Sequence, residues 1–161
     1  MSLYGCPICA RHQKMSFGER CIHEYLEEHE IFHIQEQTVN DVIEGKNSNL
    51  VRIDFTLEYN GIPVWIEYNG KQHYADIPQY SKDDEEWLIK QVKRDQNVER
   101  YCKEKGIKLI VIPYTFKTKE EIWDAVEKTL IQGIPQESFI TIPEIDYTPW
   151  KQKIKLNTTR N

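Results

Sequence analysis

Between Asn49 and Tyr74 the chain alternates in blocks. An apolar-rich segment, Val51 to Tyr59, is followed by Asn60-Gly61 and then a second such segment, Ile62 to Tyr68. Asn-Gly favours the positive φ angles of a tight turn, so the pattern predicts a β-hairpin. Val64, Trp65 and Ile66 make its second strand apolar on both faces, which predicts a central position in a sheet. The loose alternation from Ile31 to Val39 predicts a further antiparallel strand ahead of the hairpin. IKLIVIP, residues 107–113, is a short apolar run of the kind expected of a buried, innermost strand.

Helical periodicity frames these strands. Ser16-Phe17-Gly18-Glu19 reads as a capping box opening a helix to about His29, with an apolar stripe of Phe17, Cys21, Ile22, Tyr25 and Leu26. A long helix from about Asp83 to Lys105 has acids at its start, Lys103 and Lys105 at its end, and Gly106 as its cap. Its stripe contains Leu88, Val92, Val98 and Cys102. A third amphipathic helix is predicted over Glu120 to Ile131, with Gly133 beyond it.

Several carboxylates break this pattern. Asp54 and Glu67 stand among Val, Ile, Phe and Trp in the two hairpin strands, where an unpartnered carboxylate is costly to bury. Asp95 lies seven residues after Leu88 and seven before Cys102, close to the centre of the long helix's apolar stripe. Glu19 lies seven residues before Leu26 and points to about the same side, so a capping role competes with a site role. The bland readings are ion pairs: Asp54 with Arg52, and Asp95 with Lys71, Arg94 or Arg100.

Composition narrows the class without naming it. With 161 residues, 39% hydrophobic and 29% charged, the chain suits one folded domain. It has no run approaching a membrane span and no basic-then-apolar start, so it is expected to stay off membranes and in the cytoplasm. The net charge of -5 argues neither for nor against nucleic acid, because patches are hidden in a sum. No glycine-rich phosphate loop, Gly-x-Ser-x-Gly elbow or His-Glu-x-x-His pair is present in the sequence.

Four cysteines are too sparse for a secreted disulfide scaffold. Met1-Ser2-Leu3 resembles an expression-vector remnant, and Cys6-Pro7-Ile8-Cys9 has half of a zinc-knuckle spacing. Residues 1–15 are therefore read as the remnant of an upstream zinc ribbon, with Zn2+ at Cys6 and Cys9 only if further ligands are supplied. His12, Cys21 and His23 are near in sequence but at no recognised spacing.

Taken in order on these elements, Glu19, Asp54 in RIDF, Glu67 and His73 in IEYNGKQHY, and Asp95 in KRD resemble the PD-(D/E)XK nuclease superfamily. Within it they look most like the branch of very-short-patch repair and EDxHD homing endonucleases. The resemblance covers about Ser16 to Ile131. It implies an α/β, restriction-endonuclease-like core of order α-β-β-β-α-β, a mixed central sheet flanked by helices. The nuclease-like core would be residues 16–134, followed by a C-terminal extension with a basic tail over 135–161.

The function implied is hydrolysis of DNA phosphodiester bonds with Mg2+ or Mn2+ held by Asp54 and Glu67. Glu19, Asp95 and Gln72 would complete the catalytic set. One departure matters: the superfamily's lysine would stand at position 69, which is Asn69 here. The resemblance suggests His73 as general base in its place, since imidazole takes a proton near neutral pH. Lys71, Lys93, Arg94 and Arg100 are candidate phosphate contacts. The rival expectation is a nuclease fold that has lost catalysis and binds nucleic acid or a protein partner.

Overall fold

The computed structural model describes residues 15–43, 50–69 and 82–138, with the side chains of residues 82–88 and of Glu137 left aside. Ser16 caps the first helix, α1 (Phe17–Glu28), by accepting the Glu19 N–H on its hydroxyl. The strands β1 (His33–Val39), β2 (Val51–Tyr59) and β3 (Ile62–Asn69) follow. Asn60 and Gly61 have φ of 52° and 78°, as the hairpin reading requires. The long helix α2 (Lys82–Lys105) ends at Gly106, φ 68°, where the Ile107 N–H donates to the Cys102 carbonyl at 2.8 Å. Then come β4 (Lys108–Pro113), α3 (Lys119–Val126) and a π-helical turn, Glu127–Ile131. The final predicted helix is therefore α-helical only in its first part, and its last turn widens around buried Thr129.

The fold is α/β, with a four-stranded mixed sheet of order β1-β2-β3-β4. The β1–β2 and β2–β3 pairs are antiparallel, and β3–β4 is parallel. The central place expected of β3 is observed. The innermost place expected of β4 is not: among the described strands it has β3 alone as neighbour, at the sheet edge. Its apolar run has another cause, because both faces of β4 are covered by helices. Ile110 and Ile112 pack in the core that α1 and α3 share with Phe55, Leu57, Val64 and Ile66. Ile107 and Leu109 pack on the opposite side with Ile53, Trp65, Val98 and Cys102 beneath α2. The result is three layers: α1 and α3, the sheet, and α2.

At one rung this layering changes hands. Ile53 and Phe55 are two residues apart, which on a regular strand puts them on one face, yet they belong to opposite cores. The residue between them is Asp54. Its cross-strand neighbour by register is Glu36, which has φ of 51° and drops out of the β1–β2 pairing between Gln35↔Phe55 and Gln37↔Ile53. A non-glycine residue in the left-handed region marks local strain, and strain of this kind clusters at functional sites. Phe17, placed in the α1 stripe by periodicity, is half exposed at the helix start.

Candidate functional site

Asp54 and Glu67 stand one step beyond the last β2–β3 rung, Phe55↔Ile66. Asp54 fills the opening by accepting the Tyr68 N–H on Oδ2 at 2.9 Å. Its carboxyl is pushed up to about 7, first by burial and then against the Tyr68 hydrogen bond by the charges of Glu67 and Glu19. Arg94 opposes the shift only as the smallest influence. The Arg52 pairing expected of a purely structural Asp54 is not formed, and the Arg52 side chain is exposed. A carboxylate with neighbours of its own sign and only a backbone donor is a strong attractor for a cation.

Glu67 is neutralised in another way. Alternation along β3 turns it toward α2, where Arg94 grips it with Nη2 2.8 Å from Oε1 and Nη1 3.3 Å from Oε2. The same guanidinium reaches Asp95 Oδ1 at 3.1 Å and the Arg52 carbonyl at 2.6 Å. Burial works against the Arg94 charge, but its bonds to Glu67 and Asp95 outweigh that and hold it firmly protonated. Arg94, expected from sequence to touch phosphate, thus has its donors turned inward onto the site. Asp95 takes the expected ion pair with Arg94 and also accepts from the Gln91 amide at 3.3 Å.

Glu19 takes part in the cap and is also partly buried. Its carboxylate accepts the Ser16 hydroxyl at 3.0 Å, while the burial of its side chain, and Glu36 nearby, raise its pKa. What brings it inward is the residue before it. Any Cβ at Gly18 would fall on the Tyr68 ring, so the first turn of α1 rests directly on β3.

Of the sequence-predicted residues, Glu19, Asp54, Glu67 and Asp95 are thus gathered around the opened rung of the sheet. Gln72, His73 and Lys71 lie outside the described residues, as do Cys6 and Cys9. Lys93 is half-buried on α2, and Arg100 is engaged with the Val42 carbonyl at 3.0 Å and with Asn97. Asn69, where the resemblance would put a lysine, is buried. Cys21 is a core residue on α1.

Two groups escaped the sequence reading. Glu36 left no signal in the alternation, because its backbone conformation is what brings it into the site. The other group is His23, Glu27 and His33, the sole set of three metal-ligating atoms within 4.8 Å of one another among the described residues. The four-residue spacing of His23 and Glu27 on a helix was available as a sign; the approach of His33 from a strand was not.

The chain is similar to several viral proteins of undescribed function. It is 38% identical over 82 residues to uncharacterized protein 307L of Invertebrate iridescent virus 6, covering 48% of this chain and 39% of that protein. It is 41% identical over 59 residues to uncharacterized protein 033L of Invertebrate iridescent virus 3, covering 37% and 30%. It is 44% identical over 55 residues to uncharacterized protein 094L of Frog virus 3, covering 34% and 36%. The matched stretch spans well under half the length of each of these relatives. No family model and no solved structure matches the chain.

Proposed function

We propose that the chain is a metal-dependent DNA endonuclease with a restriction-endonuclease-like core of the PD-(D/E)XK type. Asp54 and Glu67 are its metal-holding carboxylates and His73 is its general base. The observation that carries this reading is Asp54. Its carboxyl sits at a strained, opened rung of the sheet, is raised to about 7 mainly by burial, and has further acids around it. An all-oxygen donor set of this kind fits a hard divalent ion such as Mg2+ or Mn2+, which keeps part of its water shell and needs few protein ligands. When bound, such an ion lowers the pKa of water and offsets charge on a phosphate.

The chain's own residues have separable tasks in this scheme. Asp54 binds, and Glu19 deepens the negative potential from the α1 side. Arg94 orients Glu67 and Asp95. His73 takes the proton of the attacking water as the new P–O bond forms and the bond to the leaving sugar oxygen breaks. The test is nicking of supercoiled plasmid with Mg2+ or Mn2+, with chelator, and with Asp54→Asn and His73→Ala. Cutting that survives chelator, or full activity in Asp54→Asn, overturns the mechanism.

A second reading has its own support. Glu67 is already neutralised by Arg94, and Asn69 replaces the superfamily lysine, which is the pattern expected of a nuclease fold kept for binding alone. Retention of DNA in a mobility-shift assay, with no cleavage in any metal and no change in Asp54→Ala, selects that reading.

A further inference from the structure

A separate cluster lies one turn along α1 from Glu19, and its donors differ from those around Asp54. Glu19, His23 and Glu27 recur every four residues and so rise along one stripe of the helix. The turn after α1 is fixed by the Ile31 N–H, which donates to the Leu26 carbonyl at 2.8 Å. His33, the first residue of β1, is thereby brought back against that stripe. His23 Nδ1 and His33 Nε2 stand 2.9 Å apart, and Glu27 Oε1 is 3.8 Å from the same His33 nitrogen.

The hydrogen bond on the far side of His33 decides what its Nε2 can do. Nδ1 lies 2.8 Å from the Ile31 carbonyl oxygen, which accepts and never donates, so Nδ1 carries the proton. Nε2 is thereby turned toward His23 and Glu27, from a side chain only 3% exposed. Two ring nitrogens so close share either the N–H proton of one imidazole or a metal ion. A histidine whose other N–H is tied to a backbone carbonyl is also the usual arrangement for a metal ligand. Ligands on a tetrahedral zinc at about 2.0–2.1 Å stand about 3.3 Å from one another. The spacings of 2.9 Å and 3.8 Å bracket that separation.

We infer that His23, Glu27 and His33 form a transition-metal site, for Zn2+ by its chemistry, that clamps α1 to the edge strand β1. Two imidazoles and one carboxylate suit zinc and its neighbours, whereas Mg2+ prefers oxygen donors alone. The fourth position falls to water. The clamp holds α1 at the level where Glu19 meets Asp54, but the inference does not depend on any nuclease activity.

The test uses the full chain carrying Cys6→Ser and Cys9→Ser, stripped with chelator and titrated with Zn2+ by calorimetry. One equivalent binds, excess Mg2+ does not compete, and Asp54→Asn leaves the binding unchanged. His33→Ala weakens it by roughly a hundredfold or more, given that losing even an outer hydrogen-bond partner of a ligand costs about 10–100-fold. Glu27→Gln keeps the fold, because its carboxylate is largely solvent-exposed, and weakens binding by at least about tenfold on the same scale. Zinc raises the thermal midpoint of the parent and raises it less in Glu27→Gln. Absence of zinc binding in the parent overturns the inference, as does an affinity unchanged from the parent's in both the His33 and Glu27 variants.

Discussion

Asp54 and Glu67 are neighbours across the same opened rung, yet the protein treats their charges in opposite ways. Glu67 turns toward α2 and receives both arms of Arg94, so its negative charge is balanced inside the fold. Asp54 turns into the gap between strands, receives one backbone N–H, and is left with burial and like charges pushing its pKa up to about 7. One acid already has its charge balanced by Arg94. The other is a stored electrostatic cost that a bound cation relieves, and the proposed metal chemistry starts from this asymmetry.

Breaking the balanced side gives the largest effect. Arg94→Ala leaves Glu67 buried without its partner, and losing one member of a buried pair costs about 3–5 kcal/mol. Urea unfolding at neutral pH measures it, and a loss below about 1 kcal/mol, the range of an exposed pair, would mean that water already reaches Glu67.

Relieving the unbalanced side acts with the opposite sign. Because the folded-state pKa of Asp54 is raised from 3.8 to about 7, the folded protein binds the proton more tightly than the unfolded chain does. Asp54 therefore costs stability progressively as pH rises through that window, and the cost is complete above about 7. At about 1.4 kcal/mol per pKa unit it reaches a few kcal/mol. Asp54→Asn is expected to be more stable than the parent at pH 8 and to lose that advantage near pH 4. Mg2+ should stabilise the parent more at pH 8 than at pH 5, and should not stabilise the variant.

Much of this was legible in the chain. The Asn60-Gly61 turn, the capped α1 and the Gly106 stop are local devices, and local chemistry is what a sequence displays most openly. Asp54, Glu67 and Asp95 stood out because each interrupts an apolar pattern. The edge position of β4 was not legible, since covering by helices on both faces writes the same apolar run as covering by flanking strands. Arg94 was legible as one of three partners for Asp95, but not its grip on Glu67, because a basic residue on a helix looks alike whether it faces solvent or a buried acid. Glu36 and His33 owe their places to a backbone kink and to a turn, neither of which has a periodic signature.

The approach of α1 offers a smaller lever. Gly18→Ala forces a methyl group against the half-buried Tyr68 ring, an overpacking change that costs about 1–3 kcal/mol. Since the displaced element carries Glu19, the variant should also bring the Asp54 pKa down, while the Glu67–Arg94 pair on the other face stays intact. A pKa unmoved by a destabilising Gly18→Ala would mean that α1 shifts without carrying Glu19 away.

Glu19→Gln isolates the last part of the difference between the two acids. Glu19 raises the Asp54 pKa less than burial and less than Glu67 do, so removing its charge should lower that pKa only slightly. The Ser16 hydroxyl can still donate to the amide carbonyl of the substituted side chain, and the backbone N–H that caps α1 at this position is untouched, so helix stability changes little. Following the Asp54 carboxyl by NMR against pH separates the contributions directly. A small downward shift leaves burial as the chief cause of the asymmetry. A shift as large as the whole elevation would instead make Asp54 and Glu19 one coupled pair sharing a proton, and the rung would then hold two acids that need a cation rather than one.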